Sequence, residues 1–145
     1  MSPNDRVQVY ANALKLFDND STVTAQAVKS LAMLDVLPDK MAFDTEGYII
    51  FSAAGDLSTY VQLASEDGRP LRVEVSSQPR DTNLTPVQQR TLRRYGFTIA
   101  GGSETNPHQD WPRARMEELP GWIERVFRDV YGLPEDGTIV LAGGV

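Results

Sequence analysis

Cysteine is absent from the 145 residues of the chain, and His108 is the only histidine. Without cysteine the chain cannot form disulfide scaffolds, iron–sulfur clusters, cysteine-ligated zinc sites or thiol nucleophiles. With one histidine it cannot supply a site that needs two imidazoles. Most hydrolytic mechanisms open to this composition would therefore depend on His108.

Long apolar runs are also missing. The longest contain only a few residues, whereas a membrane-spanning helix needs about 20. Residues 1–6 lack the basic segment and the apolar core that together mark a signal peptide. We therefore expect a cytoplasmic protein with no membrane partner.

Positive charge is the scarcer sign, because 14 Lys and Arg residues stand against 20 Asp and Glu residues. The net charge is −6 and the sequence pI is near 4.7. Phosphate groups would meet a repulsive mean field, which disfavours nonspecific nucleic-acid binding. The length fits one domain of about 150 residues, and we expect residues 1–145 to form a core without covalent staples.

A helix is predicted over residues 4–17, because apolar residues there recur at steps of three and four. Ser2 is placed to cap this helix. The predicted buried stripe consists of Val7, Tyr10, Leu14 and Phe17. Residues 21–36 alternate as a strand would, but they also fit a short helix, which is the interpretation we favour.

From about residue 47 onwards, apolar residues recur at every second position instead. Branched and aromatic residues predict strands over residues 48–53, 58–64 and 71–76. Turns that contain glycine separate them at residues 54–56 and 66–68, and glycine supplies the positive φ that hairpin connections need. The three strands should form an antiparallel meander with one core face.

Local chemistry marks a second helix. Thr85 begins a capping box with Gln88, and Gly96 is placed to end the helix in a Schellman motif. The expected later elements are short strands near Phe97 and Trp111, a main helix over residues 116–131, and a terminal strand or tail over residues 138–142. Together these elements predict a single α+β domain.

Candidates for catalysis and metal binding are weak. His108 is the one imidazole of the chain and Asp110 lies two positions after it, but no serine or threonine occupies the tight glycine-flanked turn typical of a nucleophile. Residues 18–20 resemble the start of a calcium loop, yet the sixth and twelfth loop positions hold Val23 and Lys29. The glycine pairs lack the following Lys-Ser/Thr of a phosphate loop. We expect no catalytic residue, metal or cofactor.

Arginines are concentrated in the second half, where Arg90, Arg93 and Arg94 lie on the second predicted helix. Residues 85–98 partly match the start of a helix-turn-helix. The recognition helix would fall on residues 100–107, which glycine and proline interrupt. A regulatory or nucleic-acid-associated protein that uses this helix is therefore the alternative, less favoured hypothesis. An arginine patch on an acidic protein more often meets a carboxylate.

The first predicted strand is apolar on both faces. If helices cover one side of the meander, Tyr48 and Ile50 lie on the other side, beside Tyr60 and Gln62 of the next strand. Either the C-terminal segment covers these residues or a partner chain does. Aromatic residues exposed on a sheet are typical of a peptide-binding or dimerising surface.

Six short motifs follow one another between residues 47 and 134. They are TYVQL at 59–63, LRVEVS at 71–76, LTP at 84–86, LRRYGF at 92–97, NPHQDWP at 106–112 and VFRDVYG at 126–132. In this order and spacing the chain resembles the TY-Chap domains of actinobacteria, which are relatives of type III secretion chaperones and YbjN-like proteins.

The resemblance implies an α+β fold of the type III secretion chaperone kind. Its antiparallel sheet would combine the three-stranded meander with two short strands and pack against two to four helices. The resemblance also implies a non-enzymatic chaperone or adaptor that binds a protein or peptide client, commonly as a homodimer in the secretion-chaperone branch.

These inferences lead to one predicted client surface. Its expected members are Tyr48, Ile50, Tyr60 and Gln62, with Trp111 nearby and Arg93 and Arg94 as secondary contacts.

Overall fold

A computed structural model describes residues 1–18, 48–64, 70–100 and 105–144. In chain order its helices and strands are α1 Pro3–Asp18, β1 Tyr48–Ala53, β2 Asp56–Ala64, β3 Leu71–Val75, α2 Pro86–Arg94, β4 His108–Trp111, α3 Leu119–Asp129 and β5 Ile139–Gly144. Two short 3₁₀ helices span Pro79–Asp81 and Arg113–Glu118. The favoured helix at residues 21–36 and the predicted turn at residues 66–68 lie outside the described residues.

Capping chemistry begins the first two helices as predicted. The Ser2 hydroxyl accepts from the Asp5 amide at 3.1 Å, and the Asp5 carboxylate accepts from the Ser2 amide at 3.2 Å. At α2, Thr85 and Gln88 exchange the same two bonds at 3.1 and 2.9 Å. Each reciprocal pair satisfies amides that have no partner inside the helix.

The end of α2 is the predicted Schellman motif. Gly96 has φ of 93°, which is left-handed. Its amide donates to the Arg93 carbonyl, and the Phe97 amide donates to the Leu92 carbonyl, both at 3.0 Å. This pair of bonds satisfies the last carbonyls of the helix and turns the chain back towards the core.

The sheet has five antiparallel strands in the order β4-β3-β2-β1-β5. The meander and its turn at residues 54–56 are confirmed, and residues 139–144 form a strand rather than a tail. The positive φ expected at the glycine of this turn is wrong, because Gly55 does not have a positive φ. The strand predicted near Phe97 is wrong, because only a single bridge joins Thr98 to His108. The chain there leaves the Schellman motif and can pair at one position only.

The last helix begins later than predicted. Residues 113–118 form a 3₁₀ segment with a kink at Arg115, and α3 then runs from Leu119 to Asp129. Pro120 lies in the first turn of α3, where its missing amide hydrogen costs no helical bond. Among the described residues no helix is long and apolar enough to cross a bilayer.

The helices cover one face of the sheet and form the core with it. Tyr10 of α1 contacts Phe51 of β1, with ring centroids 5.0 Å apart, and stacks on Phe127 of α3 at 6.1 Å. Trp122 of α3 lies 4.9 Å from the Trp111 ring. These aromatic contacts fix α1 and α3 against the sheet.

The buried side of α1 differs from the predicted stripe. Its buried apolar residues are Val9, Tyr10, Ala13 and Leu14. Val7 is only half-buried, and nothing is described for the side chain of Phe17. The helix is rotated so that Arg6 faces inwards and is fully buried.

Arg6 forms the main polar contact of the interior. Its Nε and Nη2 donate to the two carboxylate oxygens of Glu124, each at 2.7 Å. Its Nη1 donates to the carbonyl oxygens of Met1, Glu135 and Gly137 at 2.7–3.1 Å. The hydrogen bond with Glu124 raises the pKa of Arg6. One guanidinium therefore joins α1, α3 and the loop before β5.

Candidate functional site

The face of the sheet away from the helices brings four predicted residues together. We call it the outer face, and its members here are Tyr48, Ile50, Tyr60, Gln62, Arg72 and Glu74. Ile50 lies opposite Gln62, and Gln62 lies opposite Glu74. Residues paired in antiparallel strands point to the same side, so the row is continuous across three strands.

Exposure along the outer face is graded. Tyr48 is 37% exposed, whereas Ile50, Tyr60 and Gln62 are half-buried. Of the two alternatives for covering these residues, the C-terminal segment does not do so in its described part, because β5 pairs beside β1 within the sheet. The aromatic and aliphatic groups of β1 thus lie on an interior strand, with a neighbour on each edge.

Polarity changes from one side of the outer face to the other. Apolar side chains occupy the β1 side, and an ion pair of 3.0 Å between Arg72 and Glu74 lies on β3. Beyond it, His108 lies opposite Glu74 and Asp110 lies opposite Arg72. A bound segment would meet apolar contacts at one end and charged partners at the other.

Tyr60 is held in place by a residue that the sequence did not single out. The Asn106 amide nitrogen donates to the Tyr60 hydroxyl at 2.9 Å, and the Asn106 amide oxygen accepts from the Ser77 amide at 3.2 Å. The phenol ring is therefore orientated before any ligand binds. Asn106 belongs to the NPHQDWP motif, and this was the sign in the sequence that could have identified it as a residue of the site.

Trp111 lies elsewhere, so the expectation that it would be near the outer face is wrong. It is 3% exposed on the helix side of β4, and its Nε1 donates to the Arg115 carbonyl at 2.8 Å. The Arg115 guanidinium lies 4.9 Å from its ring centroid. Side chains alternate along β4, so His108 and Asp110 point to the outer face and Trp111 points to the core.

Arg93 and Arg94 are exposed on the last turn of α2 and are not brought to the outer face. The start of this helix contacts the end of α3 instead, since Gln88 Nε2 donates to the Val130 carbonyl at 3.0 Å. The two arginines therefore belong to a separate surface on the helical side.

The His108 ring has one hydrogen-bonding neighbour among the described residues. Its Nδ1 lies 3.3 Å from the Asn106 carbonyl oxygen. Across the described ranges, no group of three His, Asp or Glu residues is arranged to hold a metal ion.

A groove of about 470 Å³ lies at the end of the sheet, between the β1–β2 turn and the loop that follows α3. The Asp56 carboxylate lines it and accepts from the Ser58 amide and hydroxyl, the Thr59 hydroxyl and the Arg80 amide at 2.5–3.2 Å. The two hydroxyl groups contribute most to lowering the pKa of Asp56. Four donors saturate the carboxylate, so it holds the loop at Arg80 and Asp81, both with left-handed φ.

Neither a curated protein nor a solved structure gives a significant match to the chain. One family matches over residues 16–143, most of the chain, and is described as "T3SS (YopN, CesT) and YbjN peptide-binding chaperone 3". The match extends beyond residues 47–134 in both directions. The six motifs, the α+β sheet and this match lead to one conclusion: the chain belongs to the TY-Chap3 family of peptide-binding chaperones.

Proposed function

We propose that this protein is a non-enzymatic chaperone or adaptor that holds a peptide segment of a client protein against the outer face. The observation that carries the proposal is the second apolar face of β1, an interior strand with Tyr48 and Ile50 on the side away from the helices. Membership of a peptide-binding family supports the same function.

The outer face offers two kinds of contact to such a segment. Tyr48 and Ile50 provide apolar area, and burying it contributes about 25 cal/mol per Å². Gln62 and the orientated Tyr60 provide polar atoms that can bond to the client backbone. The charged residues of β3 and β4 would then meet polar client side chains beyond the apolar part.

By analogy with the secretion-chaperone branch, the proposal includes a cytoplasmic location and a homodimer. Sedimentation equilibrium of the purified chain tests the second of these.

The client surface is tested by comparing Tyr48→Asp with Leu57→Asp. Leu57 is 65% exposed near the start of β2 and serves as a matched control, because the same charge replaces an exposed apolar side chain away from the outer face. Client proteins captured from a lysate of the native source are divided into overlapping synthetic peptides, and binding of each peptide is measured by fluorescence anisotropy.

We expect Tyr48→Asp to weaken peptide binding by about five- to thirtyfold, since about 1–2 kcal/mol of apolar burial is lost and a charge must be desolvated. Leu57→Asp should bind as the parent does. Circular dichroism shows that both variants are folded. Equal affinity of Tyr48→Asp and the parent for every bound peptide would remove the outer face as the client site.

A further inference from the structure

Two neighbouring helices carry an unusual amount of exposed positive charge for an acidic chain. We call this region the arginine surface. It consists of Arg90, Arg93 and Arg94 on α2 and Arg125 and Arg128 on α3, all exposed. The chain as a whole has a net charge of −6, so the concentration of one sign here is a local feature.

Side-chain contacts join α2 to α3. Gln88 near the start of α2 bonds to Val130 at the end of α3. Tyr95 at the end of α2 packs edge-on against Trp122, with ring centroids 6.1 Å apart, and its hydroxyl donates to the Asp129 carboxylate. Side chains from both ends of α2 therefore reach α3.

The electrostatic surroundings of Tyr95 show where two arginines of α3 lie. Burial and the hydrogen bond to Asp129 raise the pKa of Tyr95, whereas the nearby guanidiniums of Arg125 and Arg128 act in the opposite direction. Arg94 precedes Tyr95 directly in the chain. The arginines of α3 thus lie near the end of α2, where Arg93 and Arg94 are.

The acidic residues of these helices are already engaged. Glu124 is 3% exposed and bonds to Arg6, with Arg128 at 3.4 Å. Asp129 accepts the Tyr95 hydroxyl, and α2 contains no acidic residue. Among the arginines whose side chains the structure describes, those that form no ion pair are Arg80, Arg90, Arg93, Arg94 and Arg125, and all of these except Arg80 belong to the arginine surface.

We propose that the arginine surface binds an acidic segment of a partner protein, at a site separate from the outer face. The planar guanidinium group accommodates a carboxylate through two parallel hydrogen bonds. The nine residues of α2 extend over about 13 Å, which matches an extended segment of about four residues with several carboxylates.

A nucleic-acid duplex fits the same surface less well. Its phosphates would extend past the two short helices and meet the field of a chain with a net charge of −6. Tyr95 is the aromatic residue at the centre of the surface, and its contacts with Trp122 and Asp129 occupy the ring and the hydroxyl. Base stacking therefore has no free platform there.

The test uses the full chain and a fluorescein-labelled octaglutamate peptide, with binding followed by fluorescence anisotropy. We expect Arg94→Glu and Arg125→Glu each to weaken binding by at least about fivefold, and binding to weaken as NaCl rises from about 50 to about 200 mM. The matched control is Arg72→Glu, which changes the net charge equally on the outer face and should alter affinity less than about twofold.

Other outcomes would overturn the proposal. Equal weakening in Arg72→Glu would mean that only the mean charge matters, and absence of binding would remove the site. A duplex of about 20 base pairs that binds at least about tenfold more tightly and depends on Arg94 would assign the surface to nucleic acid. A dimer that Arg94→Glu dissociates in sedimentation would assign it to a second copy.

The variant Tyr48→Asp separates this site from the client surface. It should bind octaglutamate as the parent does even where it has lost client peptides. Loss of both ligands in this one variant would contradict two separate sites, and circular dichroism distinguishes that result from unfolding.

Discussion

Arg6 and Glu124 form an ion pair that water hardly reaches, with exposed fractions of 0% and 3%. All three guanidinium nitrogens of Arg6 donate hydrogen bonds, and both carboxylate oxygens of Glu124 accept them. Burying two charges costs desolvation free energy, so the pair stabilises the fold only while both partners remain.

The variant Arg6→Met should therefore lower the free energy of unfolding by about 3–5 kcal/mol, because Glu124 is left buried without its main partner. Arg128 approaches Glu124 at 3.4 Å through a single nitrogen and cannot replace the lost donors. Urea denaturation at neutral pH gives the free energy. The double variant Arg6→Met with Glu124→Leu is the control and should be more stable than the single one. A single variant that is more stable than the double variant would contradict this account of the ion pair.

Helix ends depend on backbone conformation as much as on side chains. Gly96 has φ of 93° at the end of α2, and a Cβ added there would lie 3.1 Å from the Gln109 side-chain oxygen. Gly121 lies inside α3 and does not have a positive φ, and a Cβ added there would lie in open space.

The variant Gly96→Ala should lose about 1–2 kcal/mol of stability, since an L-residue is strained in the left-handed region. Gly121→Ala is the matched control and should gain up to about 1 kcal/mol, because alanine lowers the entropy cost of forming a helix. Thermal denaturation of the two variants and the parent measures both changes in stability. Equal shifts in the same direction would show that φ at residue 96 is not what matters.

Elements with local determinants were predicted well from the sequence. The capping box at Thr85 and the glycine stop at Gly96 involve residues within a few positions, so their chemistry is visible in the sequence. Period-two alternation likewise placed Tyr48, Ile50, Tyr60 and Gln62 on one face, because strand geometry fixes which side chains share a side.

Features that depend on distant parts of the chain could not be predicted. Arg6 meets Glu124 across 118 positions, and no local pattern indicates that partner. In β4, four residues are too few for alternation to show which side faces the core, so Trp111 was expected on the wrong side. Arg93 and Arg94 were assigned to the client surface because the sequence does not state which side of the sheet α2 covers.

The two proposed surfaces belong to different elements, because the outer face is formed by strands and the arginine surface by α2 and α3. Clients would occupy the sheet, and an acidic partner would occupy the helices that cover its other side. An adaptor needs both contacts at once, and this separation permits them without competition.

The stability of the molecule should fall in acid. Hydrogen bonds from the Ser58 and Thr59 hydroxyls hold the pKa of Asp56 below its ordinary value, and the Ser2 amide does the same for Asp5. A carboxylate with a lowered folded pKa stabilises the fold above its unfolded value of about 3.9, and this contribution is lost as pH falls through the folded pKa.

The variant Asp56→Asn should therefore melt at a lower temperature than the parent at pH 7, and the difference should shrink as pH falls below about 4. Asp110→Asn is the control, because it removes the same charge from an exposed position on β4. Melting temperatures measured across this pH range check the prediction. A difference that stays constant with pH would mean that the Asp56 charge does not contribute.

The pairing of β1 with β5 has a consequence for how the protein is made. β5 follows every other described element in chain order, yet it occupies one side of β1, the first strand. During synthesis on the ribosome, β1 keeps an unpaired backbone row while all the intervening segments are translated. An unpaired row of this kind is a template for adding strands from other chains. A member of a peptide-binding chaperone family thus passes through a stage at which it needs protection itself.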